Sequence, residues 1–465
     1  MTLPQGFRVR LADGLLYADG GRLLVGGSPL TAIRLSERAR RMLEDGTVTV
    51  ADEASAHLAE RLLANNVGIP DLSAAPTAEA DKITVVVPVR DRPEQLDRAL
   101  SALHPLPCVV VDDASLDPDL VAQVVSRHGA DLISLPVNLG PAGARNAGLA
   151  TVSTPYVAFV DSDVEVTATN LLKLVRHFSD PEVALVGPRV AGISRSDDPA
   201  WFEKYDAMAS SLTLGTTPGN VRPGAAVAWL PSACLVARTD AIAAGFDSDL
   251  RVGEDVDLVW RLIETGHRVR YDPTVEAHHD ARSTMRGWLS RKFVYGTGGA
   301  TLAARHGNKL APAVLSPSYA VAAATLLLHN RWAGPVTVVT LGFATRSIRT
   351  SLPEASGRNA IAVRLAIRGL MWAVRQESAL VLRHWWPAAL AGTLVSRSFS
   401  KTVATALAVD AAVAVSEHWD SDARPGLAAI AAGRRLDDLA YGTGLWWGAL
   451  KARSPRALAP RRPSS

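Results

Sequence analysis

The run YVAFVDSDVEV carries an apolar strand into Asp161-Ser162-Asp163. Residues i and i+2 of an extended chain project to one side, so the two carboxylates are expected together at the strand's end. Paired carboxylates there make a hard oxygen site for Mg²⁺ or Mn²⁺. Such an ion also binds diphosphate oxygens and offsets charge on a departing nucleoside diphosphate. An isolated Asp-x-Asp is weak evidence, because the same residues cap helices. A second acidic pair, Glu254-Asp255, opens EDVDLVWRLIE, where Leu258, Leu262 and Ile263 form one helical face. A carboxylate at a helix N-terminus is stabilised by the dipole, and an ionised carboxylate facing a cleft is what a general base requires. Asp257 is expected to be structural, with Arg261 at i+4 as its partner.

Three further stretches point to the same crevice. CVVVDDAS ends a strand on Asp112 and Asp113, where a carboxylate can accept from a base N–H or a ribose hydroxyl, or simply cap a turn. Upstream, Pro88, Arg90 and Asp91 follow the first strand of the region. In NLGPAGARNAGLA, Gly140 and Gly143 allow close backbone approach to a ligand, and Arg145 offers a planar fork suited to phosphate. This spacing does not fit the GxGxxG dinucleotide fingerprint. Last, VEAHHDARS supplies His278 and His279, either of which could ligate Mn²⁺ or contact a phosphate.

These residues need a scaffold, and the hydrophobic pattern supplies one. Residues 83–89, 108–114, 130–136, 156–164 and 183–190 are β-branched apolar runs, with helical stretches at 92–103 and 116–128 between them. That order predicts an α/β domain over residues 82–300: a mostly parallel sheet with helices on both faces, binding ligands at the carboxyl ends of its strands. Residues 1–72 read as a small α+β, winged-helix-like module. Its short strands are punctuated by Asp13-Gly14, Gly20-Gly21 and Gly26-Gly27; a helix capped by Ser36 and a second built on Leu58, Leu62 and Leu63 follow. Residues 73–81 form a linker of small residues. Residues 301–465 are expected to be helical. The uncharged run 310–328 approaches the ~20 residues that span a bilayer, although Pro312 and Pro317 interrupt it. Trp332, Trp385 and Trp386 beside Arg331 and Arg383 resemble interface anchors, so buried helices and membrane association are both open.

Composition narrows the classes. Hydrophobic residues make up 48% and charged residues 20%, which excludes a disordered chain. A net charge of +3 without a long basic run gives nucleic acid no support as a partner. Cys108 and Cys234, in apolar runs and without a CxxC, read as buried thiols of a reducing cytoplasm. The first 14 residues lack the apolar core of a signal peptide, so the expected location is the cytoplasm or the cytoplasmic face of the membrane. A nucleotidyltransferase is disfavoured because PVRDRPEQL has no glycine after the first strand; a scaffold is disfavoured by the intact acidic pairs; a membrane polysaccharide synthase is disfavoured by the lack of several long apolar spans.

The ordered set VVVPVRDR, VVVDDAS, NLGPAGARNAG, FVDSD, GEDVDLVWRL and HHDARS resembles the inverting family 2 glycosyltransferases of GT-A fold, over about residues 82–300. The resemblance implies a nucleotide-diphosphosugar donor, a divalent metal and a single displacement with inversion. It would place Asp113 on the base, Asp91 on the nucleoside and Arg145 near the diphosphate. Asp161 and Asp163, around Ser162, would hold ribose and metal. Asp255 would take the acceptor proton, with Pro231, Ser232 and Ala233 on the acceptor side of the sugar pocket. Processive members carry Gln/Arg-x-x-Arg-Trp; here Met285-Arg286-Gly287-Trp288 stands instead, which disfavours long processive synthesis. More narrowly, LADGLLYADGGRLLVGGSPLTAIRLSERA, the catalytic block and RSTMRGWLSRKFVYGTGGATLAARH resemble the glycosyltransferase family of the mycofactocin systems. That resemblance implies UDP-glucose as donor, a peptide-derived redox cofactor as acceptor and a short β-linked glucan as product. Residues 1–72 are similar to small winged-helix peptide-recognition domains of ribosomal-peptide modification systems.

Overall fold

The computed structural model describes residues 3–417 and 425–462, leaving the extreme ends of the first and last expected regions outside. The chain divides into two compact units, one of residues 1–15, 24–193 and 209–281, the other of residues 16–23, 194–208 and 282–465.

The first unit begins with a small antiparallel sheet. Strand β1 (Arg8–Leu11) lies between β2 (Thr47–Thr49) and β3 (Gly68–Asp71). Helix α1 (Glu37–Met42) is capped by the Ser36 side chain, and α2 (Glu53–Ala64) by an Asp52/Ser55 capping box that satisfies end N–H groups in both directions. Leu58, Leu62 and Leu63 of α2 pack with Val9 and Val48 in the module's core. The module is tied to the large sheet through Asn66: its side-chain oxygen accepts from Asn220 N at 2.7 Å, and Asn220 Nδ2 donates to Leu63 O at 2.8 Å. Arg268 ion-pairs with Glu60 of α2.

The large sheet uses β4 (Ile83–Val89), β5 (Cys108–Asp112), β6 (Asp131–Ser134), β7 (Tyr156–Val160), β8 (Val164–Glu165), β9 (Val183–Ile193), β10 (Gly219–Asn220), β11 (Cys234–Arg238) and β12 (Arg268–Asp280). Their order is β8-β12-β9-β11-β7-β4-β5-β6, with β10 on β12. The expected parallel arrangement holds from β7 to β6 and again between β9 and β12. Strand β11, which the apolar pattern does not single out, runs antiparallel to both β7 and β9 and makes the sheet mixed. Helices α3 (Pro93–Leu103), α4 (Pro118–His128), α5 (Gly140–Leu149) and α6 (Ala168–Val175) follow the strands, and α7 (Glu254–Glu264) precedes β12. Helix α5 lies close on the sheet because Gly148 has no side chain: a Cβ there would meet Val86 at 2.4 Å. Burial pushes the Cys108 thiol up to about 12 and the Cys234 thiol higher still, and both are free, which fits inert thiols.

The second unit is helical. The run expected at 310–328 is not one long helix: the helix is Pro317–Leu327, with Pro317 in its first turn, where the missing N–H is harmless. Eleven residues at 1.5 Å per residue cannot cross a bilayer. Among the described residues one helix, Arg397–Glu417, is long and apolar enough by length and composition to do so. Buried charge is paired here: Lys292 meets Asp437 of another helix at 3.0 Å, and buried Asp438 is held by Arg383 and, at 2.8 Å, by half-buried Arg435.

Candidate active site

The site lies at the carboxyl ends of β4, β5 and β7 and the N-terminal ends of α5 and α7. Strand β7 stops at Val160, and Asp161–Asp163 turn, with Val164 N donating to Asp161 O at 2.9 Å. The alternation expected of an extended chain therefore does not apply, and the two carboxylates part. Asp161 accepts from Arg145 Nη2 at 2.5 Å. Asp163 pairs with Arg92 and lies 3.6 Å from His279 Nε2. Neither caps the following helix, because Thr167 does. The two histidines are separated for the opposite reason, by the alternation of β12. His279 faces Asp163, whereas His278, one residue earlier in β12, is exposed and leaves the other face, so it drops out of the ligand set. Among the described residues no group of three or more His, Cys, Asp and Glu side chains could hold a metal alone.

Arg145 is not an open phosphate fork. Only 2% exposed, it spans Asp161 and Glu254, reaching Glu254 Oε1 at 3.1 Å. Burial opposes its charge, and the Asp161 and Glu254 carboxylates overcome that and raise its pKa. Ser232 joins the cluster: its hydroxyl is 3.5 Å from Glu254, and its N–H donates to Asp255 Oδ2 at 3.3 Å. Asp255 Oδ1 accepts from Val256 N at 2.8 Å. Burial, and then the neighbouring Glu254 charge, push the Asp255 carboxyl up to about 7; the two N–H donors and Arg145 pull the other way. Asp257 is fully buried and pairs with Arg261 at 2.7 Å, so the acidic triplet divides into a buried strut, a bridged Glu254 and a poised Asp255.

Asp113 and Asp91, the residues expected on the nucleoside side, are held by backbone. Asp113 accepts from Leu139 N at 2.6 Å and Gly140 N at 2.9 Å, fixing the entry to α5. Asp91, at φ 56°, accepts from Leu116 N at 2.6 Å and donates its N–H to Ser115 Oγ at 2.9 Å, which ties the loops after β4 and β5. Arg90 is exposed 3.6 Å from Asp91, and Pro88 lies within β4 opposite Val111. Gly143 faces Leu139 rather than a ligand: a Cβ there would lie 2.5 Å from the Leu139 Cβ.

Three comparisons bear on this arrangement. The family model described as Glycosyl transferase family 2 matches residues 84–227, and that described as Glycosyl transferase family group 2 matches residues 156–403. A "Pre-mycofactocin glycosyltransferase" of Mycobacterium tuberculosis is 39% identical over 99% of this chain and 98% of its own length. An uncharacterized glycosyltransferase of the same species is 29% identical over 44% of this chain and 93% of its own. The chain belongs to glycosyl transferase family 2. Among solved structures, a mannosyltransferase from Pyrobaculum calidifontis in complex with GDP-Man and Mn²⁺ aligns over 79% of this chain and 89% of its own, at 17% identity and TM-score 0.42.

In this family 2 glycosyltransferase the structure adds residues that sequence reasoning passed over. Arg92, two residues beyond Arg90, is the cation on Asp163. Arg251 lies against the start of α5: a Cβ on Gly140 would be 2.5 Å from its Nη1. Asn146 exchanges two 2.8 Å bonds with the backbone of Phe246. The RDR triplet at 90–92 was a visible signal, but long-range pairings such as Asn146 with Phe246 leave none in a single sequence. If Arg145 is the strut of the site, Arg145→Met leaves two carboxylates facing each other and lowers stability by about 3–5 kcal/mol. Chemical denaturation measures this; a change within error would show that the bridge is dispensable.

Proposed function

We propose that the chain transfers glucose from UDP-glucose, with inversion, to a peptide-derived redox-cofactor precursor and extends it as a short β-linked glucan. What carries the acceptor class is likeness along the whole chain, front module included, to a relative named for pre-mycofactocin. The chemistry rests on Asp255. The acceptor hydroxyl attacks the anomeric carbon from the face opposite the diphosphate, and Asp255 removes its proton as the bond forms. A carboxylate with a pKa near 7 suits that task, since proton transfer is most effective when the base titrates near working pH.

Asp163 and His279 fit a divalent cation that shares the remaining positions with diphosphate oxygens and water, as Mg²⁺ and Mn²⁺ sites commonly do. When bound, that ion offsets charge on the leaving nucleoside diphosphate. Arg92, which neutralises Asp163, and exposed Arg251 at the start of α5 are the residues placed to contact phosphate oxygens. Asp113 and Asp91 hold the loops that flank the nucleoside. The location consistent with the second unit is the cytoplasmic face of a membrane. Val338 and Phe343 (each 70% exposed) and Met371 (67%) lie near Arg346, Arg349 and Arg368 in sequence, and Leu394 (83%) and Val395 (86%) near Arg397, a pairing of apolar and basic side chains suited to an anionic bilayer surface.

Four measurements test this. Release of UDP from UDP-glucose is expected to rise with a peptide-derived redox acceptor and vanish with EDTA; release from every other nucleotide sugar but not this one would refute the donor. Asp255→Asn is expected to lower turnover on the order of 10²–10⁴-fold while donor affinity holds. In the wild type, activity should climb with pH through about 7, where the base becomes ionised. A flat profile between pH 5 and 9, or equal loss of donor binding in the variant, would remove Asp255 from this role. The full chain is expected to co-sediment with phosphatidylglycerol vesicles and to be released by 0.5 M salt, on the order of the concentration that shortens screening to a few ångströms; failure to bind would dismiss the bilayer.

A further inference from the structure

A crevice of about 270 Å³ lies within the first unit between β3 of the front module and the beginning of β12. It stands well away from the proposed chemistry. Arg270 pairs with Val186 and His279 with Gly192, six residues further along β9, about 20 Å at ~3.3 Å per strand residue. Its lining includes the basic side chains Arg10, Lys173, Arg176 and Arg270 and the acidic Asp71 and Asp272. Both acids are already engaged. Asp71 pairs with Arg8 at 3.2 Å and accepts from Ser73, and Asp272 accepts from His177 Nε2 at 2.9 Å and from Thr274.

Two buried polar atoms in this lining have no protein partner. Arg270 is 1% exposed; its Nη2 pairs with Asp180 and its Nε approaches Asn220 Oδ1, but its Nη1 has no hydrogen-bond acceptor. His177 is 4% exposed, and its Nδ1 is likewise unmatched. Burial pushes the His177 pKa down, so the ring is neutral near pH 7. Burial also works against ionisation of Asp272, but its hydrogen bonds with His177 and Thr274 outweigh that and keep it a carboxylate. The single ring proton therefore belongs on Nε2, facing Asp272, and Nδ1 is left as an acceptor. Two residues of the lining thus carry an unmatched cationic donor and an unmatched neutral acceptor beside a basic rim. Unmade hydrogen bonds of buried groups are costly enough that native proteins rarely leave them.

We propose that this crevice binds a small oxyanion, a carboxylate or phosphate, that also carries an O–H or N–H donor, with Arg270 Nη1 holding the anion and His177 Nδ1 accepting from the donor. The volume suits a ligand at the lower end of small-molecule sites, about 300 Å³. Asn66, Asn220 and Arg270 connect the crevice to the contact between front module and sheet, so its occupant stabilises that contact.

Calorimetry on the full chain with inorganic phosphate, N-acetylglycine and acetate tests the site. Phosphate or N-acetylglycine is expected to bind, and which of the two binds distinguishes a phosphoryl from a carboxylate ligand. Acetate, which lacks the donor, is expected to bind more weakly. Lys173→Glu with Arg176→Glu, both on the rim and outside the proposed chemistry, should weaken binding at least about tenfold while UDP release is unchanged. His177→Phe should bring N-acetylglycine down to the acetate level. Binding by neither probe, or binding that both variants leave intact, would overturn the proposal.

Discussion

Everything at the candidate active site depends on one buried cation. Arg145, on the first turns of α5, reaches Asp161 after β7 and Glu254 at the start of α7. Three elements distant in sequence therefore meet on a single guanidinium. An unpaired charge at that depth would be prohibitive, and two adjacent buried carboxylates would repel. Charge balance makes the positions of the β7 turn and the α7 N-terminus interdependent. The Arg145 fork matches carboxylate geometry at both of its ends, which lysine could not reproduce with a single point charge.

The same bridge divides labour between neighbouring acids. Glu254 is occupied by Arg145 and approached by Ser232, so it remains a fixed negative charge beside Asp255. That charge adds to burial in raising the Asp255 pKa, whereas Arg145 and the Ser232 and Val256 N–H groups limit the rise. A carboxyl raised to about 7 is thus the outcome of burial and the Glu254 charge outweighing Arg145 and the two N–H donors. It does not belong to Asp255 alone, and it would move if any of these partners moved.

Much of this was legible in the sequence, and the reasons for the remainder are physical. The strand–helix alternation from residue 83 to 175, the caps at Ser36 and the Asp257–Arg261 pair follow from local spacing, and local spacing is what a single sequence contains. The ordered acidic motifs located the crevice. What failed was inference that carried a local rule past a turn. The i, i+2 alternation placed Asp161 and Asp163 side by side, but the chain bends at Asp161 and sends one inward to Arg145 and the other to Arg92. Strand β11 escaped notice because ACLVAR is short, and its antiparallel pairing depends on β7 and β9, which lie far away in sequence.

Arg145 and Arg270 show how burial changes the meaning of an arginine. Both are nearly inaccessible, and sequence alone reads Arg145 as a fork for phosphate. Arg145 has a carboxylate at each end of its fork and no remaining capacity for an anionic ligand at those nitrogens, so its role is to hold elements together. Arg270 shares Asp180 with Arg268 and keeps Nη1 unmatched. Arg268 has Glu60 and Glu182 as further partners, whereas Asp180 is the one carboxylate paired with Arg270. An unmatched terminal nitrogen, more than residue type, separates a cation that binds the protein from one that can bind something else.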